Sequence, residues 1–154
     1  MRSSIISAVL CLALAGCATS YSAPGLRGGV SAVPVTSDIY RVSAHGNGFT
    51  SPAQIQDYVL LKAAETARDN GAQYFAIVTS TDVSQSSTFT TPGTMQTSIV
   101  GNTAYTTYSP GITTPIFKPG QDVLIKILKE PTPSSFKASE IIAAIGRRVD
   151  RGSN

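Results

Sequence analysis

The segment from residue 79 to residue 114 constrains the folding of this chain more than any other. Half of its residues, 18 of 36, are Ser or Thr, and Asp82 is its one charged residue. Turn-forming pairs recur there and just beyond it, nine residues apart, at Pro92-Gly93, Gly101-Asn102, Pro110-Gly111 and Pro119-Gly120. Gly-Asn suits a two-residue hairpin turn, and Pro-Gly suits a turn with positive φ at the glycine. Region 80–120 is therefore predicted to form an antiparallel meander of short hairpins, with a disordered low-complexity spacer as the alternative.

The strands predicted in this region carry almost no charge. Charged side chains at a strand edge normally prevent pairing with other chains. Without them, we expect the edge to be covered, or to bind an envelope protein or a second copy of this chain. Two sets of side chains alternate as they would in strands: Met95, Thr97 and Ile99, and then Ala104, Thr106 and Tyr108.

A long helix is predicted from Ser51 to about Asp69. Ser51 can cap the helix, Pro52 suits the first helical position, and Gln54 completes a capping box. The helix should end before Gly71, because glycine readily adopts the left-handed conformation that closes a helix.

The helix is amphipathic. The charged side of the helix, which includes Asp57 and Glu65, is expected to face solvent, and Leu61 on that side has no explanation from the pattern. Six apolar residues share the opposite face: Ile55, Val59, Leu60, Ala63, Ala64 and Ala67.

Three strands and a second helix complete the predicted core. Residues 39–44 alternate as in a half-buried strand, residues 73–79 are apolar enough for a strand covered on both faces, and residues 122–129 form its companion. A short helix over residues 135–145 should end at Gly146. The predicted fold class is α+β, an antiparallel sheet with one long helix on a face, a Thr/Ser-rich hairpin extension and a short C-terminal helix.

Residues 1–16 have the pattern of a targeting signal. Arg2 precedes an apolar run from Ile5 to Leu14 that is too short to span a bilayer. The run ends in Leu14-Ala15-Gly16-Cys17, which resembles the lipobox of bacterial lipoproteins. The resemblance implies cleavage between Gly16 and Cys17, and acylation of Cys17 by membrane lipid. The alternative is an ordinary secretory signal in which Cys17 is incidental.

The resemblance to lipoproteins also sets expectations for location and organisation. Ala18, in place of Asp, favours the outer membrane facing the periplasm. Residues 17–37 have one charged residue and no hydrophobic period, which predicts a lipidated flexible tether. A single domain over 38–148 and a tail over 149–154 are expected to follow.

Composition and spacing argue against several functions. Loss of Arg2 with the signal lowers the formal net charge from +3 to about +2, which is too small for a nucleic-acid footprint. Cys11 leaves with the signal and Cys17 is used by lipid, so no disulfide is expected in the folded part. We identify no catalytic, cofactor-binding or metal-binding constellation, and we expect the protein not to be an enzyme.

The turn at residues 46–51 is a position where a small-molecule site remains open. His45 is the sole histidine of the chain, and Gly46-Asn47-Gly48 precedes the helix, whose N-terminus could bind an anion. A tight turn with a surface histidine is the simpler interpretation.

Several short segments resemble an uncharacterised family of small proteobacterial envelope lipoproteins. They are Tyr40-Arg41-Val42-Ser43, residues 46–51, Asp57-Tyr58, residues 60–65, Gly71, Tyr74-Phe75 and Thr91-Pro92-Gly93-Thr94. The resemblance covers most of the chain after the signal and implies no known activity. The hypothesis from the sequence is a membrane-anchored lipoprotein with a non-enzymatic binding or assembly domain. A ligand-binding or enzymatic domain with a site near 46–51 and a simple spacer are the alternatives.

Overall fold

The computed structural model of the chain describes residues 18–152. The expected signal over residues 1–16, its cleavage site after Gly16 and the expected lipid site Cys17 lie outside the described residues. The described chain divides into two compact units. Ser86–Phe117 forms one, called the ribbon below, and the residues up to Gln85 and from Lys118 onward form the other, called the sheet–helix unit.

The fold is α+β, as predicted. The nine strands and two helices are β1 (Gly29–Pro34), β2 (Ile39–His45), α1 (Pro52–Asp69), β3 (Tyr74–Asp82), β4 (Gln85–Thr90), β5 (Thr94–Val100), β6 (Thr103–Ser109), β7 (Thr113–Lys118), β8 (Gly120–Leu128), β9 (Phe136–Lys137) and α2 (Ala138–Ile145) within residues 18–152.

The sheet–helix unit is built on a five-stranded sheet with the order β1-β2-β8-β3-β9, in which all neighbours are antiparallel. Helix α1 packs on this sheet, and α2 packs against α1. The predicted alternation in β2 is confirmed, because Val42 and Ala44 are fully buried. Val123 and Ile125 of β8 are buried beside them, since residues two apart on a strand point to the same face.

Strand β3 differs from the prediction that both of its faces are covered. Phe75 is fully buried and stacks on Phe136, with 5.5 Å between the ring centroids. Ile77 and Val78 are exposed, because α1 covers one face of the sheet and the register with β8 shifts between Ile77 and Thr79.

The ends of α1 lie close to where the sequence places them. Ser51 is the N-cap, with its hydroxyl accepting from the Gln54 backbone N–H at 3.2 Å, and Pro52 begins the helix. The capping box does not form, because the Gln54 side chain donates to the Tyr58 hydroxyl at 2.7 Å. Gly71 has φ +73 after the helix, as expected.

Part of the side of α1 that was expected to face solvent is buried, although Arg68 and Asp69 on that side are exposed. Glu65 is 8% exposed and Leu61 is fully buried. Leu61 lies three residues after Tyr58 and four before Glu65, so the three side chains share one stripe of the helix. Tyr21 packs on that stripe, with its ring 5.5 Å from the Tyr58 ring and its hydroxyl bonded to Glu65.

The tether predicted over residues 17–37 is wrong for residues 18–37, the part that the structure describes. Gly29–Pro34 is the edge strand β1, paired with β2 along its whole length. Thr19 and Tyr21 are buried, and the Tyr21 backbone N–H donates to the Asp150 carbonyl at 2.7 Å. This segment has few apolar residues, which suggested a tether. It is stabilised instead by the pairing of β1 with β2 and by the burial of Tyr21.

Tyr21→Ala should lower the free energy of unfolding by about 3 kcal/mol, because it leaves a cavity beside Tyr58 and removes a partner of Glu65. The control Leu26→Ala, at a fully exposed position nearby, should change it by less than about 0.5 kcal/mol. Urea denaturation of the mature protein in detergent measures both values. Equal stability of the Tyr21→Ala variant and the wild type would mean that residues 18–37 are a tether after all.

Candidate functional site

The ribbon is the surface that departs most from an ordinary protein exterior. Residues 83–117 contain no Asp, Glu, Lys, Arg or His. Every residue from 85 to 115 is exposed. Large apolar side chains are among them: Phe89, Met95, Ile99, Val100, Tyr105, Tyr108 and Ile112. An exposed, uncharged surface with this many apolar side chains is typical of an interaction site.

The strands of the ribbon form nested pairs. Strand β5 pairs with β6, and β4 pairs with β7, which lies on the far side of that hairpin in sequence. A meander would instead pair each strand with the next one along the chain. The turn predicted at Gly101-Asn102 is present, with Val100 opposite Thr103. Gly101 has φ +64 and Asn102 does not have positive φ, as in a type II′ turn.

The two faces of the β5–β6 hairpin differ in character. Met95 lies opposite Tyr108, and Ile99 lies opposite Ala104. Thr97 and Thr106 pair between them on the same face, with their hydroxyl oxygens 2.9 Å apart. We call this the apolar face of the hairpin. The opposite face pairs Gln96 with Thr107, Ser98 with Tyr105 and Val100 with Thr103, so each of its apolar side chains lies opposite a polar one.

The Pro-Gly pairs do not form the turns with positive φ that the sequence predicts. Gly93, Gly111 and Gly120 all have φ outside the left-handed region. Glycine is needed at 111 for a different reason: a Cβ there would lie 2.1 Å from the Thr91 carbonyl oxygen. The two Pro-Gly segments of the ribbon pass so close together at Gly111 that there is no room for a side chain.

The hairpin also has unpaired edges. Strands β5 and β6 make up a sheet of two strands, so each has one edge without a partner strand in the part of the chain that is described. No charged residue lies along either edge, and Pro92 and Pro110 stand just outside the strands. These edges can accept an additional strand through backbone hydrogen bonds.

The turn at residues 46–51 uses its polar atoms inside the fold. The Asn47 side-chain oxygen accepts from the Phe49 backbone N–H at 2.9 Å and from the Thr50 hydroxyl at 3.1 Å. The Thr50 hydroxyl also accepts from the Thr19 backbone N–H at 3.0 Å. His45 is exposed at the end of β2. This turn therefore holds Thr19 in place.

Thr19 is the centre of a set of contacts that we call the N-terminal clasp, formed by Thr19 and Tyr21 with their partners on α1, the 46–51 turn and the C-terminal segment. The Thr19 carbonyl accepts from the Tyr58 hydroxyl at 2.6 Å and from the Gln54 side chain at 3.4 Å. The clasp begins two residues after Cys17.

The second part of the clasp is an ionic cluster. The Tyr21 hydroxyl donates to one oxygen of Glu65 at 2.5 Å, and Arg151 donates to the other at 2.7 Å. The Arg151 guanidinium also lies 5.2 Å from the centre of the Tyr21 ring. Burial, followed by the bond to Glu65, raises the pKa of Tyr21 far above its usual range, and burial also raises the pKa of Tyr58. Residues 149–152 are thus packed against the domain, whereas 149–154 was expected to be a tail.

A cavity of about 140 Å³ is lined by His45 and Gly46, at the 46–51 turn. A groove of about 290 Å³ lies beside the start of α1. It has one ionisable lining residue, Asp82, whose pKa is lowered by hydrogen bonds from Ser84. An ionised aspartate cannot donate a proton at neutral pH, and no second titratable group lines the groove to work with it.

Clusters of metal ligands and membrane-spanning helices are both absent from residues 18–152. No three His, Cys, Asp or Glu side chains come together closely enough to hold a metal ion. Among the described helices, neither combines the length and the apolar character needed to cross a bilayer.

Comparison with protein-family models, with curated proteins and with solved structures gave no significant match. The sequence indicated the ribbon through its turn spacing and its lack of charge. It contained no signal for the clasp, because Thr19 and Tyr21 lie in a segment with no periodicity.

Because Tyr21 is buried in the clasp, we expect the free energy of unfolding to decrease at high pH. The folded protein keeps Tyr21 protonated, whereas the unfolded chain releases that proton above a pH of about 10. The stabilisation is therefore complete below pH ~10 and declines above it, by about 1.4 kcal/mol per pH unit for each such tyrosine.

Denaturation with urea at several pH values from neutral to strongly alkaline measures this slope. Tyr21→Phe should make the decline shallower, and Tyr105→Phe, at an exposed position of the ribbon, should keep the slope of the wild type. Identical slopes for the wild type and Tyr21→Phe would contradict the prediction that ionisation of Tyr21 causes the loss of stability.

Proposed function

We propose that this protein is a membrane-anchored bacterial envelope lipoprotein, held by acylated Cys17, whose ribbon is a non-enzymatic binding or assembly module. The observation that carries the proposal is the ribbon itself, an exposed, uncharged segment with apolar side chains and open strand edges. The proposed location is the outer membrane, facing the periplasm. The resemblance to small proteobacterial envelope lipoproteins belongs to the same proposal.

The lipobox supports the anchor. Leu14-Ala15-Gly16-Cys17 follows an apolar run that is too short to span a membrane, at the end of a segment with one positive charge. Three acyl chains, as bacterial lipoproteins usually carry, would anchor the protein stably, since each buried CH₂ contributes about 0.8 kcal/mol.

Strand addition is the mode of binding that the ribbon supports best. In this mode an extended segment of a partner, or of a second copy of this chain, pairs with a free strand edge through backbone hydrogen bonds. Side chains on one face then decide which partner fits. The apolar face around Met95, Ile99 and Tyr108 would supply that contact, and an uncharged edge places no repulsion in its way.

The alternatives have less support. A ligand-binding or enzymatic site near residues 46–51 would have to use a turn whose polar contacts already hold Thr19. A spacer would need no defined strand register, whereas β5 and β6 pair residue for residue over seven positions. Glycines placed where a Cβ cannot fit also argue for a defined ribbon structure.

The anchor is tested by membrane fractionation of Cys17→Ser beside the wild type. Loss of the acylated thiol should move the protein out of the outer-membrane fraction, or leave it unprocessed. Cys11→Ser is the matched control, because Cys11 lies in the apolar run and outside the lipobox, and it should fractionate as the wild type. Unchanged fractionation of Cys17→Ser would overturn the anchor.

The binding module is tested by chemical crosslinking in cells with two neighbouring variants of β5. Ile99→Lys places a charge on the apolar face and should weaken the crosslinked complex by about tenfold. Ser98→Lys places the same charge on the opposite face of the same strand and should retain the complex. A wild-type protein that forms no complex in cells, or variants that behave alike, would contradict the proposal.

A further inference from the structure

The structure points to a second function for the segments around the clasp. We propose that Leu26, Arg27 and Phe49 form a surface that rests on the phospholipid bilayer beside the anchor. We call it the seating surface. The inference rests on the proposed acylation of Cys17 and adds to it an orientation of the sheet–helix unit at the membrane.

The first observation is exposure. Leu26 is fully exposed and Phe49 is 74% exposed, the highest values for large apolar side chains among the described residues of the sheet–helix unit. The next highest value there is 56%, at Val35. Scattered exposed apolar residues are ordinary, but two residues this exposed and held close together need an explanation.

The second observation is that Thr19 holds both segments. Its hydroxyl donates to the Arg27 carbonyl at 2.5 Å, next to Leu26. Its backbone N–H donates to the Thr50 hydroxyl at 3.0 Å, next to Phe49. Thr19 is therefore bonded to the residue that follows each exposed side chain, Arg27 after Leu26 and Thr50 after Phe49.

The third observation is the short length of chain between Thr19 and the anchor. Cys17 precedes Thr19 by two residues, which span at most about 7 Å. Thr19 is buried and bonded to Tyr58, so this length cannot grow without breaking the clasp. The acylated residue must then lie within about 7 Å of Thr19, which brings the headgroups close to the parts of the domain that surround Thr19. This is why a bilayer, and not a protein, is the expected occupant.

Both segments are held in defined conformations. Gly25 and Gly28 exchange two backbone hydrogen bonds, at 2.9 and 3.0 Å, and present Leu26 and Arg27 at the tip of a tight turn. Gly28 has φ +100, and a Cβ there would lie 2.2 Å from the His45 carbonyl oxygen. Phe49 is positioned by its backbone bond to the Asn47 side chain.

The side-chain chemistry matches the interface of a phospholipid membrane. Leu and Phe can enter the boundary between headgroups and acyl chains, about 5–10 Å deep. Arg27 is exposed and forms no ion pair with another residue in 18–152, so its guanidinium is available to a lipid phosphate.

The chain contains no tryptophan, so one introduced tryptophan reports its own surroundings. Leu26→Trp and Phe49→Trp are made in the acylated full-length mature protein. Val35→Trp is the control, because it is exposed but lies at the other end of the β1–β2 hairpin, about 20 Å away along the strand. Circular dichroism checks that all three variants fold.

Each variant is reconstituted in vesicles of phosphatidylethanolamine and phosphatidylglycerol, with or without bromine on the acyl chains. Bromine should quench the tryptophan fluorescence of the Leu26→Trp and Phe49→Trp variants about twofold, as for side chains at interfacial depth. The Val35→Trp variant should show little quenching. Mass spectrometry of the N-terminal peptide establishes acylation in the same samples.

The outcomes separate the two proposals. A peptide without lipid at Cys17 overturns the anchor and the seating surface together. An acylated protein in which either the Leu26→Trp or the Phe49→Trp variant is unquenched overturns the seating surface alone. Equal quenching at all three positions also overturns it, because the domain would then have no preferred orientation.

Discussion

The burial of Tyr21 against α1 is the contact on which the rest of the sheet–helix unit depends. Tyr21 packs on Tyr58 and bonds to Glu65, in the stripe of α1 that also holds the buried Leu61. Glu65 can be buried there because Tyr21 and Arg151 each bond one of its oxygens. A buried carboxylate without such partners would be strongly destabilising. Tyr21 and Arg151, 130 residues apart in sequence, are thereby joined on one helix.

The two units are stabilised by different interactions. The sheet–helix unit has a core of ordinary size and chemistry, with residues such as Phe75 and Ile125 fully buried. In the ribbon, residues 85–115 are all exposed, so hydrophobic burial does not hold its strands together. Backbone pairing, cross-strand Thr contacts and close glycine packing do so instead. A two-stranded hairpin of this kind is marginally stable in water, and it would gain from a third strand.

The proposed roles of the clasp and of the ribbon follow from these differences. A tether of twenty residues would let the sheet–helix unit move freely. A clasp that begins two residues after Cys17 would instead hold this unit close to the anchor. The ribbon would then be an interaction element carried by a unit of fixed orientation. The proposed anchor, seating surface and ribbon are separate features, and each can fail without changing the other two, except that the seating surface needs the anchor.

Local signals in the sequence determined the fold class, the helix caps at Ser51 and Gly71, the alternation in β2 and the hairpin turn at Gly101-Asn102. These depend on neighbouring residues, so a pattern within one segment is enough to reveal them. Tertiary structure decided the position of residues 18–37, the burial of Leu61 and Glu65, the nested pairing of the ribbon strands and the role of Gly111. Each of these depends on a contact between segments distant in sequence: Tyr21 meets Glu65, and Gly111 meets Thr91. No periodicity within a single segment encodes such a contact, because its energy arises only when both partners are brought together.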